Sequence, residues 1–203
     1  TLSLPQRSRP QLPTGQPSQW RLAMLPAGWL HAASLAWPGH GAALWWLQLL
    51  SLALLCKALL ATPRRRDGAL LGWLFGTSWL VGTFWWLFTS MHTYGGLAAP
   101  LAAAGVLALA LFLALYYAAV CALFKHFNFT HRAVNALVFA ACWLLAELAR
   151  GVLWTGFPWG ASGYAHISGL LFPLARWVGV YGIGAAAAGL AMLLAQVRRS
   201  DLR

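Results

Sequence analysis

From Gly68 to Phe124 the chain reads GALLGWLFGTSWLVGTFWWLFTSMHTYGGLAAPLAAAGVLALALFLALYYAAVCALF, without a single Asp, Glu, Lys or Arg. A helix needs about 20 predominantly apolar residues to cross the hydrocarbon core of a bilayer, so an uncharged run of this length crosses it twice. The run divides at Tyr94-Gly95-Gly96, with Pro100 just beyond, into two membrane helices joined by a tight turn. The protein is therefore expected to be an integral membrane protein of all-α class.

Composition agrees. Hydrophobic residues make up 61% of the 203 and charged residues 8%, against roughly 25% charged in a soluble domain. Fourteen Lys and Arg against three acids, Asp67, Glu147 and Asp201, give a formal charge of +11. A charge of that size raises the question of a nucleic-acid partner. None is expected, because the basic residues sit singly or in short clusters between apolar spans instead of along one recognition surface. Cys56, Cys121 and Cys142 all lie in apolar segments without Cys-x-x-Cys spacing. They suggest neither a disulfide framework nor a zinc site.

Working outward from the central run gives a polytopic bundle of about six spans, near 20–36, 41–61, 69–91, 97–124, 132–153 and 170–197. Pro26 and His31 interrupt the first span, and Pro38-Gly39 separates the first from the second. Counting loops alternately places Arg7, Arg9, Arg21, Arg64, Arg65, Arg66, Lys125, Arg132, Arg198, Arg199 and Arg203 on one side. The other side receives only Arg150 and Arg176. By the positive-inside rule the first side is cytoplasmic and so are both termini. Residues 1–19 read as a flexible cytoplasmic tail, 20–199 as the membrane domain and 200–203 as a truncated end.

The outer side gathers Trp37, Trp85, Trp86, Tyr94, Trp154, Trp159, Tyr164 and Trp177. An aromatic belt at the headgroups is the ordinary meaning of such a set, and contact with substrate is the other. Within the fifth span, Glu147 and Arg150 share a helix face. Either they form a structural ion pair closing the bundle, or Arg150 reaches a lipid phosphate or carboxylate while Glu147 holds it. After them runs Gly151-Val-Leu-Trp-Thr-Gly-Phe-Pro-Trp-Gly160. Pro158 ends regular helix and forces Phe157 extended, while Gly156 and Gly160 permit sharp bends. This is a shaped, aromatic, Gly/Pro-rich loop expected in the outer interface or re-entering the membrane. His40, His92 and His166 fall on or near the outer side without ligand spacing, so no metal is expected. Gly72 and Gly76 form a Gly-x-x-x-Gly pair that lets another helix approach closely.

The stretch Ala146-Glu-Leu-Ala-Arg-Gly-Val-Leu-Trp-Thr-Gly-Phe-Pro-Trp159, followed by Gly163-Tyr164, resembles the membrane domain of bacterial apolipoprotein N-acyltransferases. So do Phe84-Trp85-Trp86 through Tyr94-Gly95-Gly96, and Gly179-Val180-Tyr181-Gly182. The resemblance runs from about Trp20 to Arg199, and Thr-Gly-Phe-Pro-Trp is its most specific part. It implies an enzyme of the bacterial inner membrane that takes an acyl chain from a phospholipid, holds it as a thioester, and passes it to the N-terminal diacylglyceryl-cysteine of an apolipoprotein. It also implies that the Cys-Glu-Lys triad lies in a nitrilase-like domain following this region. None of the three cysteines, nor Glu147, inherits a catalytic role, and these 203 residues alone are expected to be inactive. By the resemblance, Trp159, Phe157 and Pro158 form a lipid-facing floor, with Arg150, Glu147, Tyr94, Gly95, Gly96 and Tyr164 as further lipid or substrate contacts. No cofactor is implied. A stand-alone membrane scaffold or anchor subunit, or a small transporter lined by Glu147 and Arg150, is the alternative.

Overall fold

A computed structural model describes residues 17–127 and 129–197. Arg7, Arg9, Arg198, Arg199, Asp201 and Arg203, with most of the expected tail and the 200–203 end, lie outside the described residues. Regular structure among the described residues is helical throughout. The main elements are α1 (Pro17–Leu35), α2 (Trp45–Ala61), α3 (Arg65–Thr83), α4 (Trp85–Thr89), α5 (Ala99–Phe124), α6 (Arg132–Val152) and α7 (Ala175–Ala195).

Three helical stretches are long and apolar enough to cross a membrane: Ala99–Phe124, Arg132–Thr155 and Phe172–Ala195. A fourth exists if Arg65–Thr83 and Trp85–Tyr94, bent by 51°, make one span. The α2 helix is apolar but has only 17 residues.

Neighbouring helices close a circuit: α3 lies against α5, α5 against α6, α6 against α7, α7 against α2, α2 against α1, and α1 against α3. Lipid chains are as apolar as Leu, so burial alone does not hold such helices together; close packing and interhelical hydrogen bonds do. Gly72 and Gly76 supply the close packing, as their spacing predicts. A Cβ on Gly72 would lie 2.5 Å from the Tyr117 carbonyl oxygen, and one on Gly76 would meet Ala114 and Tyr117 of α5. Interhelical bonds run from Ser51 Oγ to the Ala27 carbonyl (2.8 Å), Ser78 Oγ to Leu25 (2.6 Å) and Trp73 Nε1 to Leu111 (3.0 Å).

The centre of the circuit is aromatic. Trp79 of α3 stacks on Trp143 of α6 with centroids 5.9 Å apart, and Tyr117 of α5 packs on both. His31 of α1 lies edge-on against Trp79 at 4.3 Å, completely buried. Each such ring pair adds about 0.5–1.5 kcal/mol beyond its buried area.

Two local expectations are corrected. Pro26 and His31 do not interrupt the first helix, because α1 runs through both. Ser78 and Ser51 donate to the carbonyls flanking Pro26, and His31 turns inward onto the aromatic core. The expected single span 69–91 breaks at Phe84, whose φ of −98° and ψ of 16° leave the helical region. Phe84 is buried with its ring edge-on to Phe157 at 5.0 Å, so packing against the later loop accompanies the break. The chain then winds through a π-helical turn, Ser90–Tyr94, and reverses at Gly96, where φ is +67°.

Candidate functional site

The segment between α6 and α7 is built on an unusual reversal. Trp154, Thr155 and Gly156 all have positive φ (56°, 74° and 73°), and the first two carry side chains that normally avoid this region. Each such residue costs on the order of 1 kcal/mol or more and persists only where surroundings fix it. The fixing contacts are present. The Phe157 amide donates back to the Arg150 carbonyl at 2.8 Å, and Gly160 turns the chain again with φ of 70°.

Beneath this loop lie the two charged residues of α6. Glu147 and Arg150 are fully buried. Their closest ionic approach, Arg150 Nη2 to Glu147 Oε1, is 3.9 Å, looser than a hydrogen bond. Each spends its better contacts on the loop backbone instead. Arg150 Nη1 donates to the carbonyl oxygens of Phe157 and Trp159, both at 2.7 Å. Glu147 Oε1 accepts the backbone N–H of Ser162 at 2.9 Å. Ser162 is held at its other polar atoms too: Trp143 Nε1 donates to its hydroxyl at 3.0 Å, and Gln48 Nε2 of α2 donates to its carbonyl. A buried irregular backbone must have its polar groups satisfied, and here one cation, one carboxylate and one side-chain amide supply partners. The Arg150 guanidinium also sits 5.9 Å from the Trp79 ring centroid, and the Tyr117 hydroxyl neighbours it without a contact of hydrogen-bond geometry.

The backbone is thus anchored below while aromatic side chains stay outside. Trp159 is 56% exposed, Trp154 79% and Tyr164 50%. Phe157 is half-buried between Phe84 and Trp159, and Pro158 is exposed. Trp86 of α4 approaches Trp159 with centroids 6.5 Å apart. Beside the loop, Leu109, Phe112, Leu113 and Tyr116 of α5 face Leu153–Phe157 across an apolar slot of about 160 Å³. Tyr94, Gly95 and Gly96 form a separate exposed turn at the end of the bent arm.

The three outer histidines do not converge. His40 Nδ1 accepts the Ala42 amide at 3.2 Å, His92 Nδ1 faces the Leu97 carbonyl, and His166 is buried beside Trp45. Burial pushes the His166 imidazole down to about 4. Among the described residues no three His, Cys, Asp or Glu side chains gather as metal ligands. The sequence reading passed over Ser162, Gln48 and Trp143. Gln48 carried a readable signal, an amide inside an apolar span, whereas nothing local marks Ser162.

Residues 27–193 match the family model described as the apolipoprotein N-acyltransferase N-terminal domain. The chain belongs to the apolipoprotein N-acyltransferase family. Similar proteins named apolipoprotein N-acyltransferase include one from Verminephrobacter eiseniae, 61% identical over 91% of this chain and 35% of that protein. Others are one from Ralstonia nicotianae, 48% identical over 74% and 29%, and one from Bordetella bronchiseptica, 40% identical over 93% and 37%. The chain spans about a third of the length of these relatives. In apolipoprotein N-acyltransferase terms, the clamped loop falls within the matched N-terminal domain, as do the aromatic core and most of the helix circuit.

Proposed function

We propose that this chain is the membrane domain of an enzyme that moves an acyl chain from a phospholipid to the N-terminal diacylglyceryl-cysteine of apolipoproteins in the bacterial inner membrane. Support comes from membership of the family, joined to one geometric observation. The loop backbone is hydrogen-bonded from below by Arg150 while Trp159, Phe157 and Pro158 are presented beside an apolar slot. Acyl chains favour such a surface, since each buried CH₂ contributes about 0.8 kcal/mol.

In this reading Trp159, Phe157 and Pro158 form the floor on which donor and acceptor lipids rest, with Tyr164 and the Tyr94-Gly95-Gly96 turn at its margins. Glu147 and Arg150 are positioning residues that fix the floor's height. The bundle makes six crossings, with α1 and α2 shielded by their neighbours, both termini cytoplasmic, and the loop at the outer interface. The Arg21–Asp67 ion pair at 3.0 Å and the Arg65–His126 contact favour that orientation, because they bring the starts of α1 and α3 and the end of α5 to one basic face. Cys56, Cys121 and Cys142 are buried and supply no nucleophile, so the chain alone transfers nothing.

The test is a chimera in which this chain replaces the matched segment of the Verminephrobacter eiseniae relative. Purified in phospholipid micelles with a diacylglyceryl-cysteine peptide, the chimera is expected to acylate the peptide amine, and the 203-residue chain alone is not. An inert chimera that inserts normally, or transfer by the chain alone, overturns the proposal.

A further inference from the structure

At the end of the bundle opposite the Trp159 loop, Arg64 precedes α3, and Arg65 and Arg66 open it, all three exposed. The helix start has no side-chain cap, and the Gly68 N–H donates to the Arg64 carbonyl at 3.2 Å. The amides of Arg65, Arg66 and Asp67 therefore have no helical acceptor. An uncapped helix start carries partial positive charge, which these three guanidinium groups reinforce. Opposite charge is scarce here. Among the described residues the carboxylates are Asp67 and Glu147; Asp67 is taken by Arg21 at 3.0 Å, and Glu147 is buried under the far loop.

Tertiary packing completes the patch. Arg65 touches His126 at the end of α5, and Phe127 and Phe129 stack with centroids 6.0 Å apart and rings 10° from parallel, both exposed. Lys125 is turned the other way, its ammonium donating to the Leu59 carbonyl at 2.9 Å, where burial lowers its pKa. A loop needing only topogenic charge has no use for a fork-shaped cation cluster beside exposed stacked rings. Phosphate recognition uses the first, because guanidinium groups bind phosphate oxygens in pairs, and exposed apolar rings beside it suit the apolar part of a lipid just below its headgroup.

We infer that Arg64, Arg65 and Arg66, with the free amides of α3 and the Phe127–Phe129 pair, form a binding site for the headgroup of an anionic phospholipid of the adjoining leaflet. Charge complementarity selects the occupant: none of the three exposed cations pairs with a described carboxylate, since Asp67 in the same turn is held by Arg21, and a bilayer surface supplies the anion. The site lies at the other end of the bundle from the proposed acyl-transfer loop and does not depend on that activity.

Native mass spectrometry of the purified chain tests it, using phosphatidylglycerol and phosphatidylcholine of equal chain length. Phosphatidylglycerol adducts are expected in excess, and the Arg64→Gln/Arg65→Gln/Arg66→Gln variant is expected to lose that excess. Each arginine accounts for about fivefold. Arg176→Gln, at the opposite end, should leave the excess unchanged. Circular dichroism checks that the triple variant stays helical; if it does not, the single variants Arg64→Gln and Arg66→Gln decide the matter, each losing about fivefold. Equal adducts of the two lipids, an unaltered excess in the helical variants, or an equal loss in Arg176→Gln overturns the inference.

Discussion

Arg150 Nη1 donates to the carbonyl oxygen of Trp159 at 2.7 Å, so an exposed indole hangs from a cation that has no exposure of its own. The same nitrogen holds the Phe157 carbonyl, and Pro158 between them has no N–H to offer elsewhere. Replacing Arg150 by Ala leaves two carbonyls and the Glu147 carboxylate without their cation. Breaking a buried charge arrangement from one side costs about 3–5 kcal/mol. Arg150→Ala is expected to lower the thermal midpoint of the detergent-solubilised chain by roughly 10 °C, and to speed proteolysis between Leu153 and Gly169. An unchanged midpoint with an unchanged cleavage pattern would show the clamp to be idle.

Trp159→Ala removes the indole but not the carbonyl that Arg150 grips. In the chimera it is expected to reduce acyl transfer by about tenfold, the scale of one lost large apolar contact, while insertion and thermal midpoint stay as they were. Undiminished transfer would remove Trp159 from the floor.

The α7 helix approaches the Glu147–Ser162 contact through Gly184. A Cβ there would press on the Ser162 hydroxyl and lie 3.0 Å from Glu147 Oε2. Gly184→Ala is expected to destabilise by about 1–3 kcal/mol, the range for overpacking. At Gly189 the nearest atom is 3.4 Å away, ordinary contact, so Gly189→Ala is expected to be neutral or stabilising by up to about 1 kcal/mol. Thermal midpoints of the two variants check both, and a reversed order would contradict this account of α7.

Gly72→Ala places a Cβ 2.5 Å from the Tyr117 carbonyl oxygen, part of the α5 backbone that cannot swing away. Gly105→Ala meets only the flexible end of Met91, at 3.6 Å. The first is expected to separate α3 from α5 and lower the midpoint, and the second to leave it unchanged. Cross-linking between engineered cysteines on the two helices reads the separation directly.

His166 gives a pH dependence. Its folded imidazole takes a proton only near pH 4, against 6.5 when unrestrained, because burial beside Trp45 disfavours the charged ring. Below 6.5 the unfolded segment therefore binds more protons than the folded one. Loop stability is complete above pH 6.5 and declines as pH falls toward 4. Proteolysis of the 153–173 segment across that window measures the decline, and His166→Gln is expected to flatten it. A decline of equal size in the variant would assign the effect to another group.

Much of this could be read without coordinates. An uncharged run from Gly68 to Phe124 leaves the backbone no partner but itself in a bilayer, which compels helix. Pro158 with Gly156 and Gly160 specifies a sharp, irregular loop, and Gly72 with Gly76 marks a close helix crossing, because these properties belong to single residues. Other features arise from contacts between distant segments. No Gly or Pro stands at Phe84, yet the chain bends there, with the ring packed on Phe157. His31 looks like a flaw in an apolar span until Trp79 and Phe75 are brought around it.

Glu147 and Arg150 show where the division falls. Their spacing put both on one helical face and made a mutual ion pair the natural expectation. Spacing along a helix cannot say what folds back over that face. Folding brings the carbonyls of Phe157 and Trp159 and the amide of Ser162 within hydrogen-bond reach, and those backbone groups, cut off from water, take the shorter contacts and leave the two charges 3.9 Å apart. The sequence alone pointed to a helical membrane protein with a shaped aromatic loop. Only the tertiary structure decided that its two buried charges serve that loop's backbone, because unsatisfied peptide groups in an apolar interior must find partners wherever the fold supplies them.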